Sequence, residues 1–262
     1  MLGLGNNLVS SSGYRTRFSL DLDGIGDRMV IDDIQAILRG SYTISYWIKL
    51  DDSTPAGTGL SGYYNDGDDQ FALGIAAGGN FYFLHEADGD DDPSFNGAGD
   101  LDGSGTALSG NSASDWFMIT LTATLDAGSS DSTFAFYSNA NAISTNLTFP
   151  KAKHTATDTG GLGWFFGAMN IQGTGIGSLI IGNIAECAIW NTALDADAVT
   201  ALYNSGASLN PMSDSGNYDN SSALVRYYNF DQGVGTTVTD QTGNANGTIQ
   251  GNPTYSEVHP GA

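Results

Sequence analysis

The chain has 262 residues and a formal net charge of −21, from 29 acidic against 8 basic residues. A field of that sign repels phosphate backbones and anionic headgroups, which excludes nucleic-acid binding and membrane adhesion as the main role. With 36 glycines, 6 prolines and 40% hydrophobic residues, the composition describes many tight turns between short apolar runs, not a disordered Pro/Gly tract.

Residues 1–14 are small and polar and read as an N-terminal arm ahead of one domain over 15–262. They show neither a basic n-region nor an apolar h-region, so the expectation is a product made in the cytosol without a signal peptide. No apolar run reaches the roughly 18 residues of a membrane span, so no membrane insertion is expected. Phe18, Leu20 and Leu22 alternate with Ser19 and Asp21. Tyr42, Ile44, Tyr46, Ile48 and Leu50 share one face of a strand, and Thr43, Ser45, Trp47 and Lys49 the other. Phe71–Ile75 and Phe81–His85, split by Ala77-Gly78-Gly79-Asn80, form a hairpin signal.

Residues 86–115 make a long polar loop. Phe117, Ile119 and Leu121 alternate again, as do Phe134 and Phe136. Ile176–Trp190 holds two apolar clusters, with the lone Cys187 read as a small buried hydrophobe. One helix stands out: Asp195 caps it, Val199, Leu202 and Tyr203 fall at helical spacing, and Gly206 is the expected terminator. Leu224–Phe230 is a further strand. Period-two alternation with one apolar face predicts an all-β, two-sheet antiparallel sandwich with one short helix.

Four segments carry a resemblance. Phe18-Ser-Leu-Asp-Leu-Asp-Gly-Ile-Gly-Asp27, Tyr42-Thr-Ile-Ser-Tyr-Trp-Ile-Lys49, Asp115-Trp-Phe-Met-Ile-Thr-Leu-Thr122 and Ile184-Ala-Glu-Cys-Ala-Ile-Trp-Asn191, followed by Ala201-Leu-Tyr-Asn204, resemble the laminin-G-like branch of the concanavalin A-like jelly rolls. Residues 224–253 resemble the segment that opens that family's domain, yet here they come last. This is read as a circular permutation in which Leu224–Phe230 pairs beside the strand near Phe18; the alternative is a second, incomplete copy of the domain. The arm, the Gly/Asp/Asn-rich composition and the absent export signal are similar in style to marine bacteriophage structural proteins. That similarity implies a capsid decoration or tail-fibre protein at the virion surface, with neighbouring subunits or copies of itself as partners.

Catalysis is not expected. Glycan hydrolases of this fold need a close carboxylate pair on one strand face. The three glutamates, Glu86, Glu186 and Glu257, lie far apart in sequence, and the aspartates sit in Gly-rich turns. Calcium is the one cofactor considered, as a structural ion. The resemblance implies a site at Asp240, Asn244 and Asn246 with Asp231, Asp27 or Glu186; the alternative is that these residues only form turns. For polysaccharide, Trp164 and Phe165 in the Gly160–Gly167 stretch, and Tyr63 and Tyr64, are the candidate contacts on loops. The alternative is that these rings fold back over the sandwich. Trp47, Trp116 and Trp190 read as core.

Overall fold

A computed structural model describes residues 16–51, 58–65, 69–75, 81–86, 116–125, 131–150, 163–171, 175–177 and 179–261. The arm, the loop over 87–115 and Asp66–Asp68 lie outside the described residues. The chain opens with β1 (Ser19–Asp23), β2 (Arg28–Ile31), a short helix α1 (Gln35–Leu38) and β3 (Tyr42–Leu50). Next come β4 (Thr58–Asn65), β5 (Asp69–Ile75), β6 (Phe81–Glu86), β7 (Phe117–Thr124), β8 (Asp131–Ser138) and β9 (Asn141–Pro150). Then follow β10 (Trp164–Phe166), β11 (Met169–Ile171), β12 (Gly175–Gly177), β13 (Ile181–Trp190) and α2 (Ala196–Tyr203). The last elements are β14 (Leu224–Tyr228), β15 (Thr237–Val238), β16 (Gly247–Gln250) and β17 (Thr254–Ser256).

Two sheets face each other. Sheet A runs β17-β1-β13-β3-β7-β8-β9, with β14 also on β13; sheet B runs β12-β11-β4-β10-β2-β16-β15, with β5 and β6 beyond β4. Pairing is antiparallel except for β11 on β4. Inward side chains of both sheets form one apolar cluster, including Leu20, Met29, Tyr42, Ile48, Phe117, Trp164 and Phe166. Tyr228, Phe230, Val238 and Ile249 from the C-terminal segment complete it. The alternation along β3 explains this: Tyr42, Ile44, Tyr46 and Ile48 are fully buried in that interior.

The opposite face of β3 is buried too, which alternation alone does not foresee. Trp47, Met118, Ala188, Trp190, Val199, Leu202, Tyr218, Leu224 and Tyr227 form a second cluster on the outer side of sheet A. The helix α2 seals it. The Asp195 side chain accepts from Ala198 N at 2.8 Å and caps the helix. Termination comes earlier than Gly206: Asn204 takes the left-handed conformation, φ 47°, which asparagine tolerates through local hydrogen bonding. Tyr203 then stacks on Trp47, with ring centroids 5.6 Å apart.

The place of β14 corrects the sequence expectation. β1 pairs with β13 through Ile181–Ile184, and β14 pairs with β13 through Cys187–Trp190. Both run antiparallel to β13, on the edge away from β3. The two segments therefore lie end to end, not side by side, as one composite strand built from both ends of the chain. The reason is space: β17 already occupies the other side of β1. Arg17 N donates to Asp231 Oδ1 at 2.9 Å across the join.

Candidate functional site

At that join β13 bulges. Glu186 adopts φ 53° there, and the β3 register shifts between Ala185 and Ala188. Its carboxylate is buried and accepts from Thr16 Oγ1 at 2.5 Å and from the Tyr227 hydroxyl. One donor comes from each end of the chain, so Glu186 clasps the two half-strands. Beside it, a cavity of about 20 Å³ is lined by Ser45, Trp47, Ser208 and Tyr227 among others. That holds about one water molecule, so this cavity has no room for a sugar.

Asp240, Asn244 and Asn246 do come together, in the turn after β15. The buried Asp240 carboxylate accepts from Tyr227 N at 2.9 Å, Thr242 N at 3.0 Å and Ala245 N at 3.0 Å. The Asn246 side-chain oxygen accepts from Asp240 N, and Asn244 Nδ2 donates to Val225 O. These bonds hold the turn against β14. The other three residues of the set are occupied elsewhere. Asp231 accepts from Arg17, Asp27 from Asn252 N at 2.6 Å and Asp23 N at 3.1 Å, and Glu186 clasps the join. Each of these three carboxylates thus has hydrogen-bond partners of its own. Among the described residues no group of three or more His, Cys, Asp or Glu is placed to hold a metal ion.

The aromatic candidates divide by strand alternation. The Gly-rich stretch around Trp164 is a strand, not a loop, because β10 is paired on both sides, by β2 and β4. Trp164 points inward, 1% exposed, with its ring 4.9 Å from Phe71 and its indole N–H unpaired. Tyr63 likewise lies on a strand, β4, and is buried against Trp164. The exposure expected of these two rings is absent, since both complete the interior. Tyr64 pairs with Gln70 in the β4–β5 ladder, and its side chain lies outside the described residues.

Phe165 takes the other side. Register sets Phe165 opposite Val30 on β2 and Gly62 on β4, with Ala72 beyond Gly62 and Thr248 beyond Val30. These residues form one row across five strands on the outer face of sheet B. Gly62 has φ 132°, and a Cβ there would stand 2.0 Å from Phe71 O, so no side chain can rise beside Phe165. The next row holds Arg28 opposite Gln250. The Arg28 guanidinium lies over the Phe165 ring, 4.9 Å from its centroid.

Arg28 was not among the residues singled out from the sequence. Its signal was there: Arg28 is the only charged residue on β2, β10, β15 and β16. Arg28 Nη1 donates to Gly26 O at 2.6 Å and Nη2 donates to the exposed Gln250 Oε1, while Nε is buried with no partner. Burial lowers the Arg28 pKa, and the charge of Asp27 opposes that shift. Phe165 is itself buried beneath that guanidinium, 7% exposed, so the face offers the Arg28 group bounded by a hydroxyl and an amide. A sugar presents matching groups, hydroxyls that accept from a guanidinium and bond to an amide.

Two facing, mostly antiparallel sheets and one capped helix describe a concanavalin A-like jelly roll. The sequence model described as the Concanavalin A-like lectin/glucanases superfamily matches residues 23–200, and the chain belongs to that family. A search of curated proteins finds no match. Among solved structures, a candidate carbohydrate-binding protein from Bacteroides ovatus ATCC 8483 superposes with a TM-score of 0.57 at 16% identity. That match covers 95% of this chain, which spans only 62% of the other. The Ruminococcus gnavus IT-sialidase CBM40 gives 0.47 at 15% identity, over 71% of this chain and 96% of that one. Mouse laminin α1 domains LG4-5 give 0.40 at 13% identity, over 69% and 44%. At these identities the likeness is one of fold.

Proposed function

We propose that this protein is a non-catalytic carbohydrate-binding module whose site is the outer face of sheet B. The observation that carries this reading is the part-exposed Arg28 guanidinium, held over the buried Phe165 ring, with Nη2 on the exposed Gln250 amide. Membership of a lectin and glucanase superfamily supports it. A binding role, not a catalytic one, is favoured because Asp27, the acid adjoining Arg28 in sequence, spends both carboxylate oxygens on backbone N–H groups. A role as a virion decoration or tail-fibre subunit would use the same fold, with contacts in the arm.

Affinity electrophoresis through gels containing neutral and acidic polysaccharides tests the binding role. Retardation of the native protein by at least one polymer, lost in Phe165→Ala and Arg28→Ala, is the expected result. No retardation by any polymer, or retardation that both variants keep, would overturn it.

A further inference from the structure

The side-on edge of an arginine, Nε together with Nη2, is a two-pronged donor that matches the two oxygens of a carboxylate. In Arg28 this edge is half used. Nη2 donates to the Gln250 amide oxygen, an exposed acceptor on the neighbouring strand, and Nε, although buried, has no partner. The third nitrogen, Nη1, is anchored on Gly26 O, and the ring of Phe165 supports the plane of the group. The guanidinium is therefore held in place from two sides, while its recognition edge carries one replaceable, uncharged acceptor.

Leaving a buried donor unpaired is unfavourable, so this edge favours any acceptor that fills both prongs at once. Gln250 cannot, because an amide offers a single oxygen. The two carboxylates nearest in sequence are committed elsewhere: Asp27 to Asn252 N and Asp23 N, and Asp23 to Ile25 N.

We infer that the Arg28 edge binds the carboxylate of an acidic sugar, a uronate or another carboxylated residue, which displaces the Gln250 amide. The inference rests on the carbohydrate-binding reading and names the ligand class for that face. The net charge of −21 sets its reach. Long acidic polymers are repelled overall, whereas a short oligosaccharide feels mainly the local guanidinium once salt screens beyond about 8 Å.

Titration calorimetry at 150 mM salt with trigalacturonate, and with its neutral counterpart galactotriose, tests this. Trigalacturonate should bind at least about tenfold more tightly than galactotriose, the worth of one charged hydrogen-bonded pair. Arg28→Lys keeps the charge but not the two-pronged edge, and should lose that preference. Gln250→Ala removes the competing amide, and should strengthen trigalacturonate binding. Circular dichroism of each variant confirms that it is folded. Equal binding of the two sugars, or a preference that survives in Arg28→Lys, overturns the inference and leaves the carbohydrate reading intact. Binding of neither sugar by a protein that other neutral glycans still retard overturns the inference alone. Binding of no glycan at all overturns both.

Discussion

The outer faces of the two sheets carry the same kinds of residue and meet opposite fates. On sheet A, Trp47, Met118 and Trp190 point outward and are covered by α2 and the segment up to Tyr227. On sheet B, Phe165 also points outward, but it is buried beneath the part-exposed guanidinium of Arg28. An outward aromatic on a sheet is thus sealed by a second layer on one face and capped by a single charged side chain on the other, and only the second arrangement leaves a polar group for recognition. Which of the two it is depends on what the chain folds back across the sheet.

The largest effect expected on this contrast lies on the sealed face. Trp190→Ala removes a side chain that is 1% exposed, together with its bond to the Tyr218 hydroxyl at 2.9 Å. Its cost should be about 3–5 kcal/mol in urea unfolding, with unchanged glycan retardation by the folded fraction.

Tyr218→Phe comes next. It strips the acceptor from Trp190 Nε1 and the donor to Pro211 O, at a cost of about 1–3 kcal/mol. It also alters the response to pH. Burial pushes the Tyr218 phenol up to about 12, eased by the Trp190 hydrogen bond and reinforced by the charge of Asp214. A raised folded pKa means that the neutral phenol is the form the fold favours. That contribution is intact below the unfolded value near 10 and is lost as pH rises through about 12. Stability of the native protein should fall across this window, and thermal melts of Tyr218→Phe should show a shallower decline.

On the outer face of sheet B the order reverses. Arg28→Ala should lower stability by only about 1 kcal/mol, yet abolish the retardation seen in affinity gels. The smallest effect belongs to the end of sheet A beyond α2. Burial raises the Asp21 pKa, and Asp51, Asp27 and Asp23 add to it. The charged form is thus disfavoured in the fold, so the contribution is present below the ordinary pKa of 3.8 and lost as pH rises. Asp21→Asn should therefore raise the neutral-pH melting temperature slightly, and salt should erase the gain.

Much of this architecture was legible in the sequence. The period-two runs at Tyr42–Leu50 and Phe117–Thr122 stand where alternation put them, and Asp195 caps the one helix expected. The join between β1 and β14 was not legible in detail. Pairing with the same edge of β13 leaves no local mark in segments some 200 residues apart. The candidate site was half legible: Phe165 was picked out, but as a loop residue beside Trp164. A three-residue strand among glycines gives no periodicity to read, so only pairing separates Trp164, which faces in, from Phe165, which faces out. Arg28 and Gln250 meet through a register linking residues 222 positions apart, which no local pattern encodes.

The central claim, that recognition belongs to the outer face of sheet B, is tested most directly by amide chemical-shift mapping. The protein would be titrated with an oligosaccharide of whichever polymer retards it. Shifts concentrated at Arg28, Val30, Phe165, Thr248 and Gln250, with Trp47, Trp190 and Leu202 unmoved, are the predicted result. Shifts confined to the α2 side, or to the turn around Asp240, would contradict it.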